Sequence, residues 1–366
     1  MAATNFAALN SQQKTVWSRD VWNAARDQMI VNKFLGSGDS ALIQRITELT
    51  QDERGTQVLM QLVADLVGDG TINDNQREGN EEALVNYEQV IKIDLIANQV
   101  IETGKYATQA SVINFREQAK NKLAYWLANR VDQLAMLTLS GISYAFNLDG
   151  SARVKSPFPA LKFAADVTAP TANRYRVWNG SALVAAANST ITSAYVANYK
   201  MIVDMVAYAK THYIKPLIAG GKEYYVIMVQ PGTLAQLKKD ADYQRAVTSV
   251  ATKDGLNSPW FTGGTVTIDG AVIHEHRLVY TNFKAATKWG ADSTVTGTRT
   301  LLCGAQALGM ADISTPSWTE KRFDFDTKAG ISVDKMFGFL KPKFYSIYDK
   351  SVEDFGVLAV DHYLAA

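Results

Sequence analysis

From Ser111 to Leu139 the chain runs without a Gly or Pro. Within it Val112, Phe115, Ala119, Leu123, Trp126, Leu127, Val131, Leu134 and Ala135 step by three or four wherever they are not adjacent. That spacing places them on one stripe of a helix. At 1.5 Å per residue the element would be roughly 43 Å long, far beyond the average globular helix. Gly141 offers a C-terminal stop. Phe115, Leu123, Trp126 and Leu127 are the expected core contacts, with Trp126 buried, while Arg116, Lys120, Lys122 and Arg130, against Glu117 and Asp132, make the polar face mildly basic.

Upstream the period changes from helical to alternating. The runs Thr56–Val67 and Leu84–Ile101 are apolar, and the second is rich in β-branched residues. In it Val85, Tyr87, Ile91, Ile93 and Leu95 face away from Glu88, Lys92 and Asp94. Two long antiparallel strands are predicted. They are joined by GDGTINDNQREGNEE, where Asp69, Asp74, Glu78, Glu81 and Glu82 against Arg77 sum to about −4. Such a tip cannot be core. An isolated two-stranded ribbon is marginal in water, so its apolar face must be covered, and the expected cover is another chain.

The remaining pattern is mixed. Residues 14–50 read as a helix-prone arm, capped by Ser11 or Thr15, broken at Gly36-Ser-Gly38 and followed by a short helix over Ala41–Leu49. Residues 142–190 hold Pro157, Pro159 and Pro170 and read as an extended excursion. Next come a helix over Ala194–Ala209, a buried strand at Tyr224–Val229 and a helix at Thr233–Lys239. Strands follow in GTVTID, AVIHEHRLVY and TRTLLC, then in ISVDKMFGFL, KFYSIY and DFGVLAVDHYLA. The class is α+β, with no linker dividing it.

Composition trims the function classes. With 366 residues and 47% apolar content the chain can bury a sizeable core in two or three modules. Its 37 basic and 36 acidic side chains leave +1, which argues against dedicated nucleic-acid binding. Lone Cys303 cannot form an internal disulfide, and MAATNFAALNSQQ lacks an export pattern, so a reducing cytoplasm is expected. The longest uncharged stretch, Val177–Tyr199, carries Asn179, Asn188 and Asn198 and is too polar to span a membrane.

Candidate chemistry is sparse. His274 and His276 would share one face of a strand and could hold zinc or iron, yet no third ligand lies near them in sequence, and the HExxH spacing is absent. Cys303 has no neighbouring base to activate it and reads as a buried thiol. Gly220-Gly221 and Gly263-Gly264 read as turns, and Asp349, Glu353 and Asp354 as a solvated turn without calcium-loop spacing. RYRVWNG at Arg174–Gly180 interleaves bases with rings, and its expected role is a loop anchored by Trp178. No catalytic, cofactor or metal site is expected.

Five stretches are familiar together: KTVWSRDVWNAA, REGNEEALVNYEQVIKIDLIANQV, FREQAKNKLAYWLANRVDQLAMLTLSG, LLCGAQALG and FGVLAVDHYLA. Through them the chain resembles, nearly end to end, the major capsid proteins of tailed bacteriophages, and most closely the N-four-like major capsid protein family. The resemblance implies the Hong Kong 97-type capsid fold. Residues 1–52 would form the N-terminal arm and the start of a peripheral domain, and 53–104 an extended loop. Residues 105–190 would form the peripheral domain with its spine helix, 191–316 an axial domain, and 317–366 the return to the peripheral domain.

It also implies a structural protein, not an enzyme. The chain would assemble with itself through pentamers and hexamers into an icosahedral virion shell, built in the host bacterial cytoplasm and contacting packaged double-stranded DNA non-specifically. The loop tip would touch a neighbouring subunit. No long charged helical segment precedes the arm, so a separate scaffolding protein is expected, besides a portal, while the sequence leaves open whether a decoration protein binds. Some relatives crosslink a loop lysine to asparagine. The tip here has Asn73, Asn75 and Asn80 but no lysine, so covalent crosslinking is not expected. The alternatives are a metal-dependent enzyme using His274 and His276, or a helical tube or sheath protein.

Overall fold

The computed structural model describes residues 20–47, 55–104, 115–254 and 266–365, apart from positions 27, 64–65, 67, 74, 83–85, 220, 326 and 347. The glycine-free run forms helix α1 (Phe115–Ser140), whose predicted first positions, including Val112, lie outside the described residues. Leu123, Leu127, Val131, Leu134 and Ala135 are buried along its stripe. The helix ends as expected. Gly141 sits at φ +66, its N–H donates to Thr138 O (3.1 Å), and the Ile142 N–H donates to Leu137 O (3.0 Å). These two bonds close the last turn in the manner that favours glycine. Trp126 is only partly buried at the edge of the core, because the stripe is centred one helical step away, on Leu123 and Leu127. Deletion of a fully buried large aromatic costs about 3–5 kcal/mol. Trp126→Ala should therefore fall below that range, at roughly 2 kcal/mol in a chemical melt.

Six strands form one sheet: β1 (Leu35–Gly36), β2 (Ile43–Ile46), β5 (Asp94–Ile101), β13 (Leu308–Asp312), β14 (Ser317–Phe323) and β15 (Lys328–Leu340). β2 runs parallel to β1 and β13, and β15 is antiparallel to β13, β14 and β5. The helix expected over Ala41–Leu49 is thus corrected to a strand. Its apolar spacing was misleading for a definite reason: Ile43 and Ile46, three apart, serve opposite faces, Ile43 in the main core and Ile46 in a small cluster under the hairpin. The backbone partners come from β13, far downstream, and no local pattern reports them.

The hairpin pairs β3 (Gln57–Val63) with β4 (Asn86–Lys92). The second long strand predicted here is real but serves two partners. At Ile93, whose N–H donates to Thr56 O (3.0 Å), the chain leaves β3 and continues as β5 along β15. Side-chain parity slips there as well: Ile91, Ile93 and Ile96 are buried, while Leu95, expected on the same face, is 47% exposed. The inner apolar face is covered by the chain itself and not by another copy. Val58, Met60, Ile91 and Ile93 pack against Ile46, Ala311 and Leu340. Gly309 makes that fit close, since a Cβ there would lie 2.8 Å from Met60 Sδ and 2.9 Å from Ile91 Cδ1.

A second, mixed sheet contains β6 (Tyr175–Trp178), β7 (Leu183–Ala185), β8 (Leu217–Ala219), β9 (Lys222–Val229), β10 (Val266–Ile268), β11 (Ala271–Glu275), β12 (Gly297–Cys303) and β18 (Val357–Tyr363). The order is β10-β11-β9-β12-β18-β6-β7, with β8 on β9. Alternation along its centre feeds two cores. Leu301, Cys303, Val357 and Ala359 join α1, whereas Leu302, Leu358 and Val360 join helix α2 (Tyr199–Thr211). A strand buried on both faces reads as a continuous apolar run, and TLLC and VLAV are such runs.

Asn198 caps α2 by accepting from Met201 N–H (3.0 Å). Helix α3 (Pro231–Lys239) was expected; α4 (Ala241–Asp254) was not, for its described buried anchors are only Tyr243 and Val247. Trp178 anchors its segment as expected, fully buried and donating its indole N–H to Val196 O (3.0 Å). A small pair, β16 (Lys343–Ser346) and β17 (Ser351–Asp354), completes the described fold.

Candidate assembly interface

The hairpin has a fixed root and an uncovered tip. At the root the Gln89 carboxamide exchanges hydrogen bonds with the Lys343 backbone, and Lys92 pairs with Asp166 at 2.7 Å. Beside them Tyr87 meets Phe344, with ring centroids 6.0 Å apart. At the tip Asp69, Arg77, Glu78, Glu81 and Glu82 are all exposed, and Asp74 lies outside the described residues. Two of the carboxylates shape the loop: Glu82 accepts from Gly68 N–H (2.7 Å) and Glu81 from Gly79 N–H (2.8 Å). Leu66 and Ile72 are 61% and 69% exposed there.

The basic face of α1 is partly spent within its own chain. Arg116 forms a two-pronged pair with Glu320, which also accepts from the Trp318 indole (2.8 Å), and Lys120 lies 3.5 Å from Asp20. Arg130 donates to Gln133 (2.7 Å), while Lys122 is exposed. Of the predicted core contacts, Leu123 and Leu127 are fully buried, and Phe115 and Trp126 flank the core.

The solvated turn expected at Asp349, Glu353 and Asp354 is instead a buried ionic network. Lys341 reaches Asp354 at 2.8 Å with both side chains almost inaccessible. Arg174 (3.1 Å) and His212 (2.6 Å) both engage Asp349, and Glu353 accepts from Asn173 (2.8 Å). Burial lowers the Lys341 ammonium from its ordinary range, with Asp354 opposing that fall. Local sequence showed three carboxylates but not the cations that fold onto them.

In front of this network, beside the hairpin root, lies a cavity of about 410 Å³. Tyr87, Tyr225 and Phe344 contribute to its walls, and Tyr213 and Tyr348 stack at 3.5 Å and 7° while remaining 59% and 50% exposed. Sequence reasoning missed this site. The aromatic density of THYIK and KFYSIY was its only trace.

His274 and His276 acquire no third ligand, and no metal-holding group of His, Cys, Asp or Glu occurs among the described residues. His274 stands edge-on to Phe34 (5.4 Å), and His276 Nδ1 accepts from Leu278 N–H (3.3 Å). Burial, reinforced by His274, lowers His276 to about 4, so it is neutral at pH 7. Burial pushes the Cys303 thiol up to about 12, which leaves no thiolate. Replacing both histidines with Gln should preserve folding and assembly within about 1 kcal/mol. Stoichiometric metal in the parent, lost together with function in the double variant, would reverse this reading.

The comparisons agree with the architecture. Residues 5–366 match the model of a family described as phage capsid protein. A major capsid protein of Pseudomonas phage KPP25 is 50% identical over 370 residues, covering 99% of this chain and 98% of the relative. In fold, the capsid of Ralstonia phage GP4 matches with a TM-score of 0.76 at 24% identity, over 91% of this chain and 90% of that one. The capsid of cyanophage Pam1 matches at 0.70 and 17%, over 100% and 96%. The capsid of Helicobacter pylori bacteriophage KHP30 matches at 0.65 and 14%, over 92% and 91%. The two-sheet α+β body with its long helix and projecting hairpin is thus the Hong Kong 97-type capsid fold, and the chain belongs to the phage capsid protein family as a major capsid protein.

Proposed function

We propose that the chain builds an icosahedral shell through pentamers and hexamers around packaged double-stranded DNA, and that the hairpin tip is the contact from one subunit to the next. The carrying observation is the division of the hairpin: its root is packed on its own core, whereas the tip of residues 68–73 and 75–82 is exposed throughout. Polar residues held out on a fixed support shape their own loop but add nothing to the buried core of their subunit. Repeated over a closed symmetric array, a modest contact of this kind multiplies into a durable shell.

In this reading residues 1–52 are the arm and the entry to the peripheral domain, 53–104 the extended loop, 105–190 the peripheral domain, 191–316 the axial domain, and 317–366 the return. The role is structural and not enzymatic. The near-neutral chain, at +1, suits a wall that confines DNA without gripping it. Assembly in the host cytoplasm would involve a separate scaffolding protein and a portal. The chain, produced together with the scaffolding protein and examined by sedimentation and negative-stain microscopy, should give closed shells. Tubes, or monomers under every assembly condition, would reject the reading.

A further inference from the structure

We propose that the aromatic cavity at the hairpin root receives the hairpin tip of a second copy, with Ile72 packing against the stacked tyrosines at its mouth and Asn73 following it. This rests on the reading of the tip as an intersubunit contact and names its landing site.

Three observations carry it. The first is apolar fit: Ile72 is 69% exposed on a tip that gives it no cover, while the stacked Tyr213–Tyr348 pair holds apolar rings open to solvent at the mouth of a 410 Å³ cavity. Tyr213 keeps this position at φ +52, a backbone conformation unfavourable for a bulky residue. The second is charge. The cavity mouth carries exposed Lys210 and Lys215 against a single exposed acid, Glu223, and the tip carries five carboxylates against Arg77.

The third is unmet hydrogen bonding. Arg174, Glu353 and Asp354 line the cavity; Arg174 Nη1, Glu353 Oε2 and Asp354 Oδ1 are buried without a hydrogen-bond partner, the Lys343 ammonium standing 4.0 Å from Asp354 Oδ1 as an ion pair only. One donor beside two acceptors suits a carboxamide, which accepts through oxygen and donates through nitrogen. Asn73, at φ +53, stands at the turn directly after Ile72. The basic face of α1 is the competing landing surface, but Arg116 and Lys120 there already have partners in their own chain.

The test uses engineered cysteine pairs in the full chain, whose single native thiol, Cys303, is buried. Ile72→Cys with Tyr348→Cys should give disulfide-linked ladders in assembled shells and none in free subunits. Ile72→Asp alone should leave the free subunit's melting unchanged and raise the concentration needed for half-assembly by roughly tenfold or more, the expected loss of one buried aliphatic contact. Ladders formed instead by Ile72→Cys with Lys120→Cys would overturn this landing site while leaving the tip an intersubunit contact. Unchanged assembly of Ile72→Asp, with no ladder from either pair, would overturn both.

Discussion

Asp361→Ala should destabilise the free subunit by about 3–5 kcal/mol, the usual cost of stripping one partner from a buried ion pair. Asp361 is inaccessible and accepts from Arg299 Nε at 2.7 Å and Nη2 at 2.9 Å, with the Arg299 side chain only 5% exposed. The same guanidinium donates to Ser140 O (2.6 Å), on the last residue of α1, and to Tyr175 OH (2.8 Å), and lies over the Tyr175 ring. One cation therefore ties the end of the long helix to β12, β18 and β6. Removing the carboxylate leaves that cation in an apolar interior with its hydrogen bonds only partly met. A double variant, Arg299→Met with Asp361→Leu, should recover much of the loss, since an apolar pair of similar size avoids the uncompensated charge. Denaturant melts of the two chains decide the matter: a single variant within about 1 kcal/mol of the parent would show that water reaches the pair.

Replacing Thr71 to Glu81 with a short Gly-Ser turn should abolish shells while leaving a soluble, cooperatively melting subunit. The excised residues are exposed where described, and the root contacts at Val58, Met60, Gln89, Ile91 and Lys92 are untouched. Ion pairs at such a tip are individually worth only about 0–1 kcal/mol and weaken with salt. Reversing charge at Glu78, Glu81 and Glu82 should accordingly slow assembly mainly at low ionic strength. The full replacement removes Ile72 as well as Asp74, Glu78 and Glu81, so its effect should persist at high salt. Circular dichroism melting beside sedimentation reads both halves of the claim. Normal shells from the shortened chain, or collapse into unfolded aggregate, would each assign the loop a different role.

What the sequence made legible was whatever a short window contains. Helix α1 announced itself because its apolar stripe and Gly141 are local, and the hairpin because alternation flanks a tip too charged to bury. β2 stayed hidden because Ile43 and Ile46 mimic helical spacing while serving opposite faces. The exposure of Leu95 was hidden too, since only pairing with β15 shifts the parity beyond Ile93. Charge pairing was the least legible. Lys335–Asp312 joins β15 to β13, and Lys341, just past β15, reaches Asp354 in β17; a charged residue read alone defaults to the surface. The aromatic cavity draws on segments distant in sequence, so the tyrosines that form it looked scattered.

The continuous backbone of β4 and β5 has a mechanical consequence. A pull on the tip along the strands passes through Ile93, where the pairing changes from β3 to β15, into β5, which faces β15 over Asp94–Ile101 in antiparallel register. Such a load acts in shear, so every backbone bond of that ladder must give way together instead of opening one after another from an end. The hairpin is thus built as a tension member, and outward pressure from a packed interior would be carried by the six-stranded sheet before any single hydrogen bond was strained alone.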